Sequence, residues 1–253
     1  MRINVPNLQD VIKKATLNYS IETVQLKIDS ERIISKMRSS NNNVVVVLNL
    51  PNDVLSDVTG IVDINFDNPN VKVKPYLNLI DNEICEAVVS DEKINLKDGK
   101  HKTNLHFCMP SFVTTFNQSE PPIVPFYEIH ITKEILAIFK KILSVGSTFD
   151  KVYFTVRGGQ LIIETTDRLN RFANGISFVI GSVDQPDLDI CIEYKNFVGV
   201  FQCIKGDISV DEGETAGFKS KLVWRAEQRA GMVIFEKSDA TERYYLMSKL
   251  ESN

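Results

Sequence analysis

The chain switches between two hydrophobic periods, and it does so twice. Between about Asn7 and Asn18, Leu8, Val11, Ile12 and Ala15 stand at i, i+3, i+4 and i+7, the apolar stripe of an amphipathic helix. Pro6 suits its first turn. The spacing predicts a second helix over about Lys133 to Val145. Its stripe is Ile135, Ile138, Phe139 and Ile142, with Thr132 as N-cap and Gly146 as its stop. The two stripes superpose at an offset of 127 residues, which lays Lys13–Lys14 on Lys140–Lys141. After each helix the period becomes two. "TVQLKIDSERIISKM" and "KVYFTVRGGQLIIET" both read as hairpins, the second turning at Gly158–Gly159. Aligning them takes a one-residue insertion in the second copy.

Further strands are expected over Val44–Leu50, Gly60–Phe66 and Arg171–Ile180. "IEYKNFVGVFQCIKG" predicts a helix with Phe197, Val200, Phe201 and Ile204 on one face and Gly206 as its stop. Asp189 to Ile192, just before it, alternate like a strand end. Its counterpart in the first half is the weaker "KPYLNLIDN", with Pro75 at the start and Leu77 and Ile80 as the apolar pair. Each half closes on a hairpin, one turning at Asp98–Gly99 and the other near Asp239. Between the halves, "MPSFVTTFNQSEPPIVPF" holds Pro110, Pro121, Pro122 and Pro125 and reads as an extended surface linker. The expected class is α+β, with two duplicated domains, each placing two helices on antiparallel sheet. The expected divisions are 1–109, a connector over 110–126, and 127–253.

Charge sharpens this plan. The chain carries a formal net charge of −4, so nucleic-acid binding would have to come from local clustering. The three clear helices hold Lys13, Lys14, Lys133, Lys140, Lys141, Lys195 and Lys205, all off the apolar stripes, against Asp10, Glu134 and Glu193. They sum to +4, leaving −8 for the rest, and "GDISVDEGETA" alone has four acids and no base. A polar helix face often carries lysines without any partner. The same sign on three helices of an acidic, duplicated chain points instead to a surface that tracks phosphates. No aromatic residues interleave with these lysines in sequence, which disfavours stacking on single strands. No helix-turn-helix or zinc-finger pattern is present, which leaves backbone contact that ignores base sequence.

Other chemistry is sparse. Cys85, Cys108, Cys191 and Cys203 show no CxxC pairing, and His101, His106 and His130 lack ligand-spaced partners, so neither a metal nor a cofactor is expected. "MRINVPNLQD" has no apolar core of an export signal, and the longest apolar run, "VVVVL", is strand-length. The expectation is a cytoplasmic protein with reduced thiols and no membrane contact. No phosphate loop, nucleophile elbow or catalytic carboxylate pair is visible, and no enzymatic activity is expected. "RGGQ" contains a tripeptide that is catalytic in translation termination factors, but between alternating strands it reads as a tight turn. "DRLNR", with Arg168 and Arg171, reads as a solvated turn or as a basic loop on DNA.

The chain resembles the DNA sliding clamps, the ring-shaped processivity factors of replicative polymerases. It is most similar to those of T-even-type bacteriophages and more distantly to the trimeric PCNA-like rings. The resemblance rests on "HITKEILAIFKKILSVGSTFDKVYFTVRGGQLIIE", on "FKSKLVWRAEQRAGMVIFEKSDATERYYLMSKLE", and on "CMPSFVTTFNQSEPPIVPF" at the place of the interdomain connector. It covers nearly the full length and is weakest over Pro51–Glu86. It implies a homotrimeric ring around double-stranded DNA, placed by a clamp-loader ATPase and tethering a DNA polymerase in DNA replication. In a viral setting that would be the host cytoplasm. Its pore helices would present Lys13, Lys14, Lys72, Lys74, Lys133, Lys140, Lys141, Lys195 and Lys205. A partner-peptide pocket under the connector would draw on Phe112, Val113, Val124, Phe126, Leu246 and Met247. The alternative is a virion structural or assembly protein built from duplicated β-rich domains.

Overall fold

Asn4 starts the first helix. Its side-chain oxygen accepts from the Asn7 amide at 3.0 Å, and Pro6, which has no amide to leave unpaired, sits in the first turn. Helix α1 therefore spans Val5–Ala15 rather than Asn7–Asn18. It ends where the Thr16 hydroxyl donates back to the Ile12 carbonyl at 2.7 Å and Leu17, Asn18 and Tyr19 take left-handed backbone angles. In the second copy Thr132 caps α4 (Lys133–Val145), its hydroxyl accepting from the Ile135 amide at 3.3 Å. The expected stop, Gly146, lies outside the described residues. The computed structural model describes residues 1–99, 101–117, 123–145, 148–168, 170, 174–204 and 217–248.

The two caps lie 128 positions apart. So do the starts of β2 (Thr23–Ile28) and β10 (Lys151–Arg157), and those of β3 (Arg32–Arg38) and β11 (Gln160–Thr166). One offset therefore holds from helix through hairpin, and no insertion is needed. Lys13 then corresponds to Lys141 and Ile12 to Lys140, so the two lysine pairs are not equivalent. The buried stripe of α4 is accordingly Leu136, Phe139 and Ile142, with Ile135 and Ile138 half-buried. Matching lysine to lysine had shifted the alignment by one residue.

The chain divides into two compact units, Met1–Gln118 and Ser119–Asn253. The first adds β1 (Arg2–Asn4), β4 (Val44–Pro51), β5 (Val62–Asp67), β6 (Ile84–Val89), β7 (Lys93–Asp98) and β8 (His101–His106). The second adds β9 (Tyr127–His130), β12 (Gly175–Ser182), β13 (Leu188–Glu193), β14 (Phe218–Arg225), β15 (Ala230–Lys237) and β16 (Glu242–Met247). In the first unit the strands run β1-β6-β7-β8 and β5-β2-β3-β4; in the second, β9-β14-β15-β16 and β13-β10-β11-β12. Strand for strand the order is the same, and neighbouring strands within each order are antiparallel.

Alternation explains the cores. Val24, Leu26 and Ile28 of β2 are buried with Leu8 and Ile12 of α1. In the second unit Phe139 sits among three rings from two other elements. Its centroid is 5.6 Å from Phe197 and 5.3 Å from Phe201, both on α5 (Tyr194–Ile204), and 6.4 Å from Phe235 on β15. The counterpart of α5 in the first unit is two four-residue helices, α2 (Pro69–Lys72) and α3 (Lys74–Leu77), broken at Val73. Pro75 accounts for the break: its ring would collide with the carbonyl of residue 71 in a continuous helix. Leu77 is buried, as its apolar pairing with Ile80 suggests, but Ile80 is only half-buried.

The hairpins also differ. β10 and β11 pair from Arg157↔Gln160 to Tyr153↔Glu164, around the Gly158–Gly159 turn (φ +56° and +76°) that "RGGQ" encodes. β2 and β3 pair only at Ile28↔Ile33 and Lys27↔Ile34. Beyond that point the Ser35 hydroxyl donates to the Gln25 carbonyl at 2.7 Å. The main chain of β3 turns instead to the segment after β8: the Arg38 amide donates to Thr114 and the Phe116 amide to Lys36, around an antiparallel Met37↔Thr115 bridge.

Candidate nucleic-acid and partner surfaces

Each helix presents its lysines differently. On α1, Lys14 is tied to Asp10 at 3.3 Å with its side chain only 12% exposed, and Lys13 is half-buried. On α4, Lys133, Lys140 and Lys141 are all exposed. Ile12 is buried where α4 has Lys140, so the α4 surface gains a charge that α1 cannot show. On α5, Lys195 is exposed and lies 3.2 Å from Glu193; Lys205 lies outside the described residues. In the first unit Lys72 pairs with Asp67.

Two lysines stand over aromatic rings that are far away in sequence. The Nζ of Lys74 is 4.9 Å from the Tyr19 ring centroid and that of Lys141 is 5.5 Å from Phe178. Such contacts hold a long flexible cation in one place. Sequence adjacency could not show them, because Tyr19 closes the left-handed turn after α1 and Phe178 belongs to β12.

The apolar candidates fall into separate settings. In the first unit Phe112 is exposed at the end of a single 3-10 turn, Pro110–Phe112, while Val113 is buried. In the second, Val124 is exposed and Phe126 half-buried, its amide donating to the Leu222 carbonyl at 3.0 Å. Leu246 and Met247 are neighbours on β16 and must face opposite sides of the sheet. Leu246 is 1% exposed and pairs with Val233, on the face that meets the Phe139 ring cluster. Met247 pairs with Met232 on the other face, where Val223, Ile234 and Tyr245 are also buried. The sequence reading missed those four. Their signal was present, since "KLVW" and "GMVIF" are apolar at both parities, as strands covered on both faces must be. Charges follow along the same face: Glu236 is 3.1 Å from Arg243 and 3.8 Å from Lys219, and Lys219 is 3.6 Å from Glu128.

Arg168 is neither a solvated turn residue nor open to a phosphate. Its guanidinium carbon is 3.8 Å from the Tyr153 ring centroid, and it donates to Glu164, to Asp189 and, at 2.9 Å, to the Thr155 hydroxyl. Burial alone would make Arg168 less basic and Asp189 less acidic. Their mutual hydrogen bonds outweigh burial, so the arginine is held more basic and the aspartate more acidic than usual. Arg171, its companion in "DRLNR", lies outside the described residues. Among the described residues no disulfide joins the four cysteines, no three His, Cys, Asp or Glu side chains are gathered to hold a metal ion, and no helix is long and apolar enough to cross a membrane.

The architecture is that of the sliding clamps, an α+β fold with few helices and large antiparallel sheets. Proliferating cellular nuclear antigen from Entamoeba histolytica aligns over 98% of each chain with a TM-score of 0.65 and 12% identity. The A. fulgidus PCNA solved with the C-terminal region of FEN-1 aligns over 100% of this chain and 98% of that one, with a TM-score of 0.60 and 13% identity. The DNA polymerase III beta chain of Streptococcus pneumoniae gives 0.64 at 13% identity, and this chain spans 65% of its length. No protein-family model matches the sequence, and no curated protein matches it. At these identities the likeness is one of fold.

Proposed function

We propose that this chain is a DNA sliding clamp: three copies close a ring around duplex DNA and tether a replicative DNA polymerase for processive synthesis, without regard to sequence. The observation that carries the reading is the duplicated unit itself, with a lysine-bearing helix at the same place in each copy of a clamp fold. Two units per chain call for three chains to supply six. Domains at 1–109 and 127–253 joined by a connector at 110–126 fit this scheme, and a kinship with the T-even-type phage clamps is part of the same proposal.

The physics is retention without tight binding. A lysine about 4 Å from a phosphate in water contributes only about 1 kcal/mol, and less through a solvent layer. Lys13, Lys14, Lys72, Lys74, Lys133, Lys140, Lys141, Lys195 and Lys205 would give many weak, interchangeable contacts, and closure of the ring would prevent escape. A closed ring needs a clamp-loader ATPase to open it. Its closure would use free sheet edges. β8 and β12 each end their strand order, and Val179 on β12 is exposed. For the partner, the A. fulgidus clamp with a bound C-terminal region supports docking of a short peptide. Within the second unit, Val124, Phe126 and Met247, extended to Tyr245 and Ile234, are its candidate seat; Phe112 and Val113 belong to the first unit. Leu246 would support that seat from the core side.

Electron microscopy of the purified protein tests the reading. The expected image is a ring with a hole wide enough for a duplex. An assembly with no channel, or one whose α1 and α4 lysines point outward, would sink it. Stimulation of long synthesis by a partner polymerase is the functional counterpart.

A further inference from the structure

The sheet β1-β6-β7-β8 has one face in the core and one in solvent, and its register fixes which side chains share each face. Ile3, Cys85, Ala87, Ile94, Leu96 and Leu105 are buried on the inner face. On the outer face, Arg2 stands opposite Glu86, Glu86 opposite Lys97, Lys97 opposite Lys102, and Lys93 opposite His106. Four cations, Arg2, Lys93, Lys97 and Lys102, thus share a face with one carboxylate, on a chain whose net charge is −4. Glu86 lies 3.3 Å from Lys97. Among the described residues, Arg2, Lys93 and Lys102 have no ion pair.

Two features make this more than a solvated face. Like charges placed directly opposite across a ladder are unfavourable, and here Lys97 faces Lys102. The same face also exposes Ile84 (58%) and Val88 (64%), on either side of Glu86 along β6. The corresponding sheet of the second unit differs: on that face Val223, Ile234 and Tyr245 are buried, and Lys219, Lys221 and Arg243 are paired with Glu236 or Glu128.

We propose that the outer face of β1-β6-β7-β8 docks an acidic protein segment that carries aliphatic side chains. Charge complementarity selects the partner. The carboxylates would sit between Lys93, Lys97 and Lys102 and relieve their repulsion, and the aliphatics would cover Ile84 and Val88. A bare phosphate backbone would leave those two side chains uncovered, which disfavours nucleic acid. The proposal does not depend on the DNA-encircling reading.

The probe is a short fluorescein-labelled peptide of alternating Glu and Leu, with a Glu–Ser peptide of equal length and a single-stranded oligonucleotide as the other arms. The intact protein is expected to bind the Glu–Leu peptide about tenfold more tightly than the Glu–Ser peptide. Lys93→Glu with Lys102→Glu should weaken that binding at least about tenfold, and Lys140→Ala with Lys141→Ala should leave it unchanged. Lys102→Glu alone should raise the melting temperature, because it puts opposite charges face to face. If it lowers it, Lys93→Ala with Lys102→Ala decides the matter: lost binding carries the proposal and retained binding overturns it. Equal affinity for the two peptides, or an oligonucleotide that binds more tightly through Lys93 and Lys102, also overturns it.

Discussion

Helices α1 and α4 occupy the same place in two copies of one plan. Asn4 and Thr132 cap them at the same relative position, and hairpins follow at the same distance. Yet α1 half-buries its lysines and ties one to Asp10, while α4 exposes three. Their inner faces differ as well. α1 buries aliphatic residues, and α4 buries Phe139 among three other rings. One backbone plan therefore supports two surfaces. Duplication fixes where a helix lies, and the individual residues decide what it offers.

The largest expected effect tests the inner faces. Phe139→Ala should cost about 4 kcal/mol and Leu8→Ala about 3 kcal/mol, because the ring contacts add to the area lost. Urea unfolding measures both, and the single tryptophan, Trp224, reports on the second unit. Equal losses would show that the ring cluster adds nothing. Next come the outer faces. On the clamp reading, Lys133→Ala, Lys140→Ala and Lys141→Ala together should weaken retention on circular DNA about tenfold and flatten its salt dependence by roughly 0.9 per lysine. Lys13→Ala with Lys14→Ala should do less than half as much. Equal slopes per lysine would erase the distinction between the two helices.

Two smaller effects probe where the copies agree. Asn4→Ala and Thr132→Ala should each cost about 1 kcal/mol, read by thermal melting. A tenfold disparity in their equilibrium effects would show that the caps are not equivalent. The last concerns acid. Asp98 accepts from the Asn82 side chain and from the Asn82 and Asp81 amides, which hold its carboxyl below its ordinary value of 3.8. In the second unit Asp189 is lowered through Arg168 and Thr155 despite burial. Both bind protons less readily folded than unfolded. Their stabilisation is complete above pH 3.8 and is lost as pH falls through the folded values. Asp98→Asn should reduce the acid sensitivity of the first unit and leave that of the second unchanged, as followed by unit-specific unfolding probes.

Much of the fold was legible because helix and strand periods are local. Lys133–Val145, its Thr132 cap and the Gly158–Gly159 turn emerged from a dozen residues at a time. The alignment of the copies did not, because lysines on solvent-facing positions carry no packing constraint and can match by coincidence. The break at Val73 was half legible: Pro75 was read as a helix start, as it is for α3, but the short α2 before it was not foreseen. Contacts such as Lys141 over Phe178, or the second apolar face with Ile234 and Tyr245, need strands brought side by side. So does Arg168, whose partners Glu164, Asp189 and Tyr153 lie on three different strands.

The opened hairpin of the first unit has a mechanical consequence. Because β3 gives its last main-chain groups to Thr114 and Phe116, the departing chain is laced into the sheet alongside Met37 before it leaves. A pull along the axis of β3 would load these bonds together in shear instead of peeling them one by one. A tethered protein that is tugged as it works would find there a strain-relief anchor, and it would spare the ladder behind it.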